Sequence, residues 1–560
     1  MLSQRHNVSP LLAKLLNIRG ISDLNINNYL NSNLLNNLPD PFSLKDMKKS
    51  VERVLFALSN NHNIGIIADY DVDGSTSAAI LCNFFNSINY KTILKIPNRL
   101  TDGYGPNEKI MEDLLTNKVD LLFTLDCGTT SFKILDKKKY LSIDTIIIDH
   151  HISENTLPNV FSIINPNRYD ENNNFKDLAA VGVTFLFLLA LRKFLREKNF
   201  FKKQNISEPN LLSYLDMVAL GTVCDIVNLQ GYNRLFVKKG IEFICKRNNK
   251  GITAIIDNSK IKHTPNTRDL SFIIGPQLNS ASRVGESNLA SKLLITDNIV
   301  EVESIANKLL IYNEKRKLIE NTIYNEALDQ VFGQEKNNII IVKGESWHRG
   351  VLGIIASKLV EQFNKPALVI SFDNNFGFGS GRSIDNIDLG QIIIDLKDKG
   401  LLIDGGGHKM AVGLKIARNL YEKFIEQVIY LFNNFDSSIF KKVFYYDLIL
   451  SLDEINSDII DNLEKLEPYG KGNPEPKFYL KNVYVKFIKI LKEKHILLNL
   501  KNNYEKNIPA ISFNCVNNPL GDYLIYNHTK KFHLICSINK SNFQNKIQPQ
   551  LIIHDSITAD

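Results

Sequence analysis

The 560-residue chain reads as an α/β protein: two α/β lobes joined by a long helix, with a small C-terminal β-barrel. Three patterns lead there. From Asn63 onward short apolar runs alternate with helical stretches, as in a parallel sheet covered by helices. A second alternation begins near Asn338, and beyond Lys441 the chain changes to five or six short β runs, for which a closed OB-type barrel is the natural candidate. The expected boundaries are a helical cap at 1–45, a first lobe at 46–285, the connecting helix at 286–332, a second lobe at 333–435 and the barrel at 436–560. With 44% hydrophobic and 23% charged residues the composition is that of a globular chain, which excludes disordered and fibrous classes. The net charge of +7 is compatible with a polyanionic partner but too dilute over this length to identify one.

Taken in order, the first 45 residues carry short helical patterns, Leu11 to Leu16 and Ile26 to Leu35, that close on Pro39-Asp40-Pro41 and lead into a helix from Leu44 to Leu58. No chemistry is visible in them. The start lacks a signal-peptide core, and no apolar run is long enough to cross a bilayer. The six cysteines have no paired metal-ligand spacing and sit mostly in apolar runs, so a reducing cytoplasm is expected.

Expected strands follow at Ile64 to Ala68, Thr92 to Ile96, Val119 to Leu125 and Thr145 to Ile148. The first runs into Asp69-Tyr70-Asp71-Val72-Asp73-Gly74 and then a helix from Ser75 to Ile88; the third runs into Asp126-Cys127-Gly128; the fourth into Asp149-His150-His151. Parallel sheets bind ligands outside the carboxyl ends of their strands, so these acids and imidazoles are expected on one rim. Carboxylates gathered there repel one another unless cations separate them. A calcium loop is disfavoured, because the helical pattern starts at once and no oxygen ligands are spaced out toward a distal Glu. A lone Asp after a strand is commonly a helix cap and a His pair is commonly hydrogen-bonded. Three such segments on one rim argue for a metal site. A helix from Leu211 to Leu220 then delivers Asp225 in Gly221-Thr222-Val223-Cys224-Asp225, a further acid for the shell. Carboxylate and imidazole without thiolate suit Mn²⁺ or Mg²⁺, and several bridging acids suggest two ions, the arrangement for hydrolysis of a phosphoester.

These four segments resemble, in order, the signature motifs of the DHH phosphoesterase family, and more closely those of the RecJ family of bacterial single-stranded-DNA-specific exonucleases. Pro97-Asn98-Arg99 with Asp102-Gly103-Tyr104-Gly105, and Gly275-Pro276-Gln277-Leu278-Asn279-Ser280-Ala281-Ser282-Arg283, are similar to RecJ stretches as well; the likeness runs from about residue 10 to beyond Pro476. On this reading the first lobe is the DHH domain. Asp71, Asp73, Asp126, His150 and Asp225 hold the two ions, with Asp69 beside them as a ligand or supporting acid. Asp149 orients His150 or a neighbouring loop, and His151 meets the scissile phosphate.

Further on, the apolar spacing from about Ser287 to Val331 is that of one long helix, whose Glu314-Lys315-Arg316-Lys317 reads as a solvated face. In the second lobe, strands at Asn338 to Val342 and Ala367 to Ser371 enclose Trp347-His348-Arg349-Gly350, and two glycine-rich loops follow, Gly377 to Ser383 and Gly405 to Gly413. Glycine lets backbone amides approach a phosphate and arginine adds a planar fork for its oxygens. These segments resemble the DHHA1 domain. The resemblance assigns Ser380 and Arg382 to the 5′-terminal phosphate, and His408, Arg283, Asn279 and His348 to phosphates near the scissile bond; Lys409 and Val412 depart from the small residues of that pattern. In the barrel, Lys477, Lys481, Lys486, Lys489, Lys492 and Lys494 alternate with Phe478, Tyr479, Tyr484 and Phe487. That suits single-stranded nucleic acid, and strand-core aromatics with solvated lysines account for it equally well. Glu467 to Pro476 resembles the RecJ segment leading into this domain and tips the reading toward DNA.

The expectation is a 5′ to 3′ exonuclease that degrades single-stranded DNA to mononucleotides in repair and recombination, a cytoplasmic monomer that works with single-strand-binding protein and a helicase, polarity and partners being implied by resemblance. The rivals are a phosphodiesterase of short oligoribonucleotides or cyclic dinucleotides, which would need little beyond the two lobes, and an inactive DNA-binding scaffold, which would have lost metal ligands.

Overall fold

A computed structural model describes residues 2–31, 38–334, 336–503, 506–543 and 546–558. The chain forms two compact units, one of Asp40–Asp225 with Gly240–Lys442, the other of Met1–Pro39, Ile226–Lys239 and Val443–Asp560. No helix of the described residues is long and apolar enough to cross a membrane.

The larger unit contains both α/β lobes. Its first sheet comprises β1 (Ile64–Ala68), β2 (Thr92–Lys95), β3 (Leu121–Leu125), β4 (Asp144–Ile148) and β5 (Ser162–Ile164), all parallel, in the order β2-β1-β3-β4-β5. β1 and β3 are buried along their whole length, which is why they read as unbroken apolar runs rather than as alternation. β5, three residues long, falls below the length at which a sequence pattern becomes visible. Helix α1 (Val72–Ser87) starts directly from the turn after β1 and is buried nearly all round, packed by α2 (Ala180–Glu197) and α3 (Leu215–Cys224).

After α4 (Gly275–Val284) the single long helix expected from Ser287 proves to be two: Leu289–Ile295, then α5 (Ile299–Val331). Asn298 makes the break, its side chain accepting the N–H groups of Val300 and Glu301 as an N-cap. The second sheet has β6 (Ile340–Glu345), β7 (Ala367–Asp373), β8 (Phe376–Arg382), β9 (Asp404–His408) and β10 (Ala411–Ala417) in the order β6-β7-β8-β10-β9, and α6 (Leu352–Phe363) covers part of one face. The glycine-rich segments expected as loops are therefore strands. In β8 the glycines point into the core, where a Cβ at Gly381 would lie 2.6 Å from the side chains of both Leu368 and Val412. The alternate positions Phe376, Phe378, Ser380 and Arg382 share the other face. Val412 is a core residue beneath Gly381, so its size does not enter that open face.

In the smaller unit β12 (Phe478–Leu491), β13 (His495–Lys501), β14 (Asn507–Ser512), β16 (Lys546–Thr558) and β15 (Lys531–Phe543) pair in that order and close through β12 with β15, while β11 (Leu448–Leu450) lies parallel beside β12. The interior is aliphatic and aromatic, Phe478, Leu498, Phe532 and Leu551 among it, and Leu12, Leu15, Leu16 and Ile26 belong to the same core. The N-terminal helices thus pack on the barrel rather than serving only to lead into the first lobe. Their third helix spans Ile26–Leu30; residues 32–37 of the longer stretch expected there lie outside the described residues. The segment Ile226–Lys239 joins them through Arg234, whose guanidinium sits 3.8 Å over the Tyr29 ring and donates to the carbonyls of Tyr29, Lys465 and Glu467.

Candidate metal centre

Three aspartates are laid out along the carboxyl rim of the first sheet by the strand ladder itself. The N–H of Asp69 donates to the carbonyl of Leu125 (3.2 Å), that of Asp126 to Ile148 (3.0 Å) and that of Asp149 to Ile164 (3.2 Å), each continuing the parallel pairing one residue past its strand. Asp71 then caps α1 by accepting the Gly74 N–H at 3.0 Å. Gly74 is required by packing, since a Cβ there would lie 2.4 Å from the Asp69 carbonyl oxygen.

Ligand atoms converge in three groups, each within 4.8 Å: Asp69, Asp71 and Asp126; Asp73, His150 and Asp225; and Asp126, His150 and His151. Asp126 and His150 are shared, with His150 Nε2 lying 3.3 Å from Asp126 Oδ1, 3.6 Å from Asp225 Oδ2 and 3.9 Å from Asp73 Oδ2. Asp69, which the sequence left as ligand or supporting acid, stands among the potential ligands. Asp69 Oδ1, Asp126 Oδ1 and His150 Nε2 are buried and have no hydrogen-bond partner, a cost that a polar atom does not bear in an interior without a compensating ligand. The residues therefore fit divalent cations: hard oxygen donors, one imidazole and unsatisfied lone pairs aimed at a common space.

Electrostatics point the same way. Burial, reinforced by the neighbouring carboxylates, holds Asp69, Asp73 and Asp126 well above the usual carboxylate range. Asp73 is also fixed by the N-terminus of α2, its two oxygens accepting the N–H groups of Ala180 (2.7 Å) and Val181 (2.8 Å). Asp126 has φ +58°, a left-handed conformation uncommon for residues other than glycine, of the kind that surrounding structure must enforce at a functional site. Gly221 in α3 admits the approach to α1; a Cβ there would lie 2.3 Å from Thr76 Oγ1 and 3.1 Å from Asp73 Oδ1.

The two histidines differ. Burial and the adjacent His151 push His150 down to about 4, leaving a neutral imidazole suited to ligation. For His151 burial works downward, but the charge and hydrogen bond of Asp149, with Asp225 and Asp73 behind it, raise it to about 9. Asp149 is correspondingly held well below the usual range: burial alone would raise it, and His151, His150 and the Thr129 N–H outweigh that. Its Oδ1 accepts from the N–H groups of both histidines and lies 2.7 Å from His151 Nδ1, while Oδ2 accepts from Thr129. Asp149 thus contacts the His151 ring and the 129 loop, and His150 only at its backbone.

The remaining candidates lie on the opposite lobe and on α4. Ser380 and Arg382 lie against the first turn of α6, where a Cβ at Gly353 would be 3.1 Å from Ser380 Oγ and 3.0 Å from Arg382 Nη2. Arg283 donates to the Gly350 carbonyl at 2.9 Å; burial and the nearby Arg99, Arg316 and Arg382 lower it to about 9. Burial and Arg99 also lower Arg382. Asn279 Oδ1 is buried without a partner, and His348 Nδ1 accepts the Gly350 N–H. His408 is exposed, in register with Ala411 and through it with Arg382. Arg99 was quoted in the sequence only as part of a motif. Its guanidinium stacks 4.9 Å over Tyr70, and its proximity to Arg283 and Arg382 has no signature in residue spacing. Tyr104, which donates to the Asp126 carbonyl, and Asn165 and Asn167, which donate to the carbonyls of His151 and His150, were likewise missed.

Residues 63–222 match the N-terminal domain of the DHH family, residues 336–434 the DHHA1 domain and residues 446–555 the RecJ OB domain. The single-stranded-DNA-specific exonuclease RecJ of Escherichia coli K12 is 33% identical over 449 residues, 78% of each chain. The chain belongs to the RecJ family. Among solved structures, RecJ from Thermus thermophilus in complex with Mn²⁺ superposes with a TM-score of 0.81 at 25% identity, covering 100% of this chain and 77% of that one; its Mg²⁺ complex gives 0.76 at 24%, covering 100% and 76%. The RecJ likeness therefore takes in both lobes, the barrel and the N-terminal helices.

Proposed function

We propose that this RecJ family member is a metal-dependent exonuclease that hydrolyses single-stranded DNA from the 5′ end to mononucleotides, in repair and recombination in the cytoplasm. The observation that carries the reading is the convergence of Asp69 Oδ1, Asp126 Oδ1 and His150 Nε2, buried and unpartnered, on one space between shared ligand groups. Asp69, Asp71, Asp73, Asp126, His150 and Asp225 hold two Mn²⁺ or Mg²⁺ ions. When bound, such ions acidify water for attack on phosphorus and neutralise charge on the phosphoryl oxygens.

The chain's own groups do the rest. The α2 N-terminus fixes both oxygens of Asp73. Asp149 holds His151 through Nδ1, which leaves Nε2 as the ring nitrogen that meets the phosphate that is cleaved. Arg283, Asn279 and His348 steady neighbouring phosphates, and His408 does so from the end of β9. Ser380 and Arg382, beside the α6 N-terminus, take the 5′-terminal phosphate with Arg99, whose charge reaches Arg382, and set the direction of attack. Because guanidinium groups repel one another there, an anion relieves the site as well as binding it. Single-stranded DNA is also the ligand proposed for the barrel; single-strand-binding protein and a helicase are proposed partners, and a monomer the proposed state.

The test is a manganese-dependent digestion of single strands labelled at either end, with a duplex control. Mononucleotides released first from the 5′ label, with the duplex spared, are expected; release from the 3′ label, or equal cleavage of duplex, overturns the assignment. A phosphodiesterase of dinucleotides is disfavoured by the barrel and predicts the opposite ranking of long and short substrates.

A further inference from the structure

The carboxyl rim of the first sheet does not end with its acids. Asp69, Asp126 and Asp149 each stand one residue past a strand, and the same slot after β5 is filled by Asn165, which is 1% exposed. Its amide is fully used: Nδ2 donates to Thr129 Oγ1 at 2.9 Å and to the His151 carbonyl at 2.8 Å, and Oδ1 accepts the Asn167 N–H at 2.7 Å. A carboxylate in that slot would set a second oxygen against the His151 carbonyl, so the position calls for an amide. Thr129 in turn donates its N–H to Asp149 Oδ2 at 3.1 Å, and Asp149 Oδ1 accepts the His151 N–H at 3.2 Å and lies 2.7 Å from His151 Nδ1. Asn165, Thr129, Asp149 and His151 therefore close a ring across the loops that follow β3, β4 and β5. Asn167 serves the other histidine. Its Nδ2 donates to the His150 carbonyl at 2.6 Å and to that of Lys176 at 3.0 Å, while its own carbonyl accepts the Ser153 N–H at 3.3 Å.

We propose that Asn165 and Asn167 are positioning residues with divided roles: Asn167 sets the backbone of His150 for metal ligation, and Asn165 sets His151 against the scissile phosphate. The inference rests on the metal-dependent hydrolysis proposed above. The division follows from connectivity. A shift of Asn165 reaches His151 at its carbonyl and, by way of Thr129 and Asp149, at its N–H and its ring. Asn167 joins that ring through its own N–H, which an alanine at 167 keeps, and its side-chain donation goes to His150. A group that orients a ligand from behind tunes affinity for the ion, whereas a group that places a charge or donor at the reacting phosphate tunes the chemical step.

The test uses the full chain, with free Mn²⁺ titrated by electron paramagnetic resonance beside steady-state hydrolysis of single-stranded oligo(dT). Asn167→Ala is expected to weaken Mn²⁺ binding roughly 10- to 100-fold, with kcat largely recovered once the ion is raised to saturation. Asn165→Ala is expected to keep Mn²⁺ affinity within a few-fold of the parent and to lower kcat by up to about 100-fold at saturating ion, with KM for the strand little changed. In a His151→Ala background the Asn165→Ala change should lower kcat no further, because the group it positions is gone. If Asn165→Ala does not fold, Thr129→Val, which removes the acceptor of one Asn165 hydrogen and keeps the side-chain shape, is expected to show the same split to a smaller degree. Parallel losses of Mn²⁺ affinity and kcat in both variants mark structural support alone and overturn the proposal, as does additivity of Asn165→Ala with His151→Ala. A parent chain that binds no Mn²⁺ and leaves single strands intact overturns the exonuclease reading and the proposal with it; variants that move together beside an active parent overturn the division of roles alone.

Discussion

Replacing Asp126 by Asn removes one charge from the two ligand groups that share it and leaves shape nearly unchanged; Asn also tolerates the left-handed backbone, φ +58°, that the position requires. A unit charge about 4 Å from a cation charge interacts by about 4 kcal/mol at an effective dielectric of 20. Retaining half of that after relaxation gives about 2 kcal/mol per unit of cation charge, so about 4 kcal/mol for a divalent ion, roughly a thousandfold in affinity. Without metal the effect changes sign. Burial and four neighbouring carboxylates hold Asp126 well above the usual range. Stability tied to a raised carboxyl is fully present only below the unfolded value and declines as pH rises toward the folded one, and an amide never loses it. Metal-free Asp126→Asn should melt at a higher temperature than the metal-free parent, while Mn²⁺, which stabilises the parent, should hardly move the variant. Titration of free Mn²⁺ by electron paramagnetic resonance, beside thermal melting with and without the ion, reads both signs. A variant that binds Mn²⁺ within a few-fold of the parent and still hydrolyses single strands would refute the assignment of Asp126 as a shared ligand.

Other expectations concern different elements. Gly221→Ala forces Thr76 and Asp73 apart and should weaken Mn²⁺ binding and lower the melting temperature; wild-type values in both would show that the α1 and α3 contact has slack the distances deny. Arg382→Ala should remove the preference for a 5′-phosphate over a 5′-hydroxyl end, measured as the ratio of kcat/KM for the two, while cleavage of the hydroxyl end changes little. Asp216, buried in α3, is raised from 3.8 to about 7 by burial. Its folded value exceeds its unfolded one, so its stabilisation is complete below pH 4 and lost by pH 7, about 4 kcal/mol in all. Asp216→Asn should flatten that part of the melting profile, and a slope identical to the parent's would exclude it. EDTA should abolish hydrolysis and leave binding of a single strand intact, readable by gel shift.

The acidic rim was legible because ligand residues follow directly on strands, and a parallel sheet sends every strand's carboxyl end to the same side. Asp69, Asp126 and Asp149 needed no tertiary knowledge beyond that. The role of Asp69 was not decidable, since which of three alternating carboxylates points into the site depends on the cap that Asp71 makes to Gly74. The second lobe misled where glycine stood for two things: in β8 it marks a strand pressed against Leu368 and Val412, not a loop around phosphate. Arg99 escaped because its relation to Arg283 and Arg382 crosses three segments far apart in sequence. The break before α5 turned on one Asn within a pattern otherwise continuous, and the rings of the barrel, visible as Tyr479 and Phe478 side by side, could not be sorted into wall and interior until strand register was fixed.

The packing of Leu12, Leu15, Leu16 and Ile26 against a core drawn from Leu450 to Ile553 has a bearing on how the chain matures. During synthesis those four side chains leave the ribosome long before their partners, so the helices that carry them remain without a core while both lobes with the acidic rim are completed. Contacts this distant in sequence form slowly because so long a loop must close. Nascent chains halted just before Val443 should therefore protect the rim from proteolysis while residues 2–30 are still cut, and a chaperone that shelters apolar helices would find its target there.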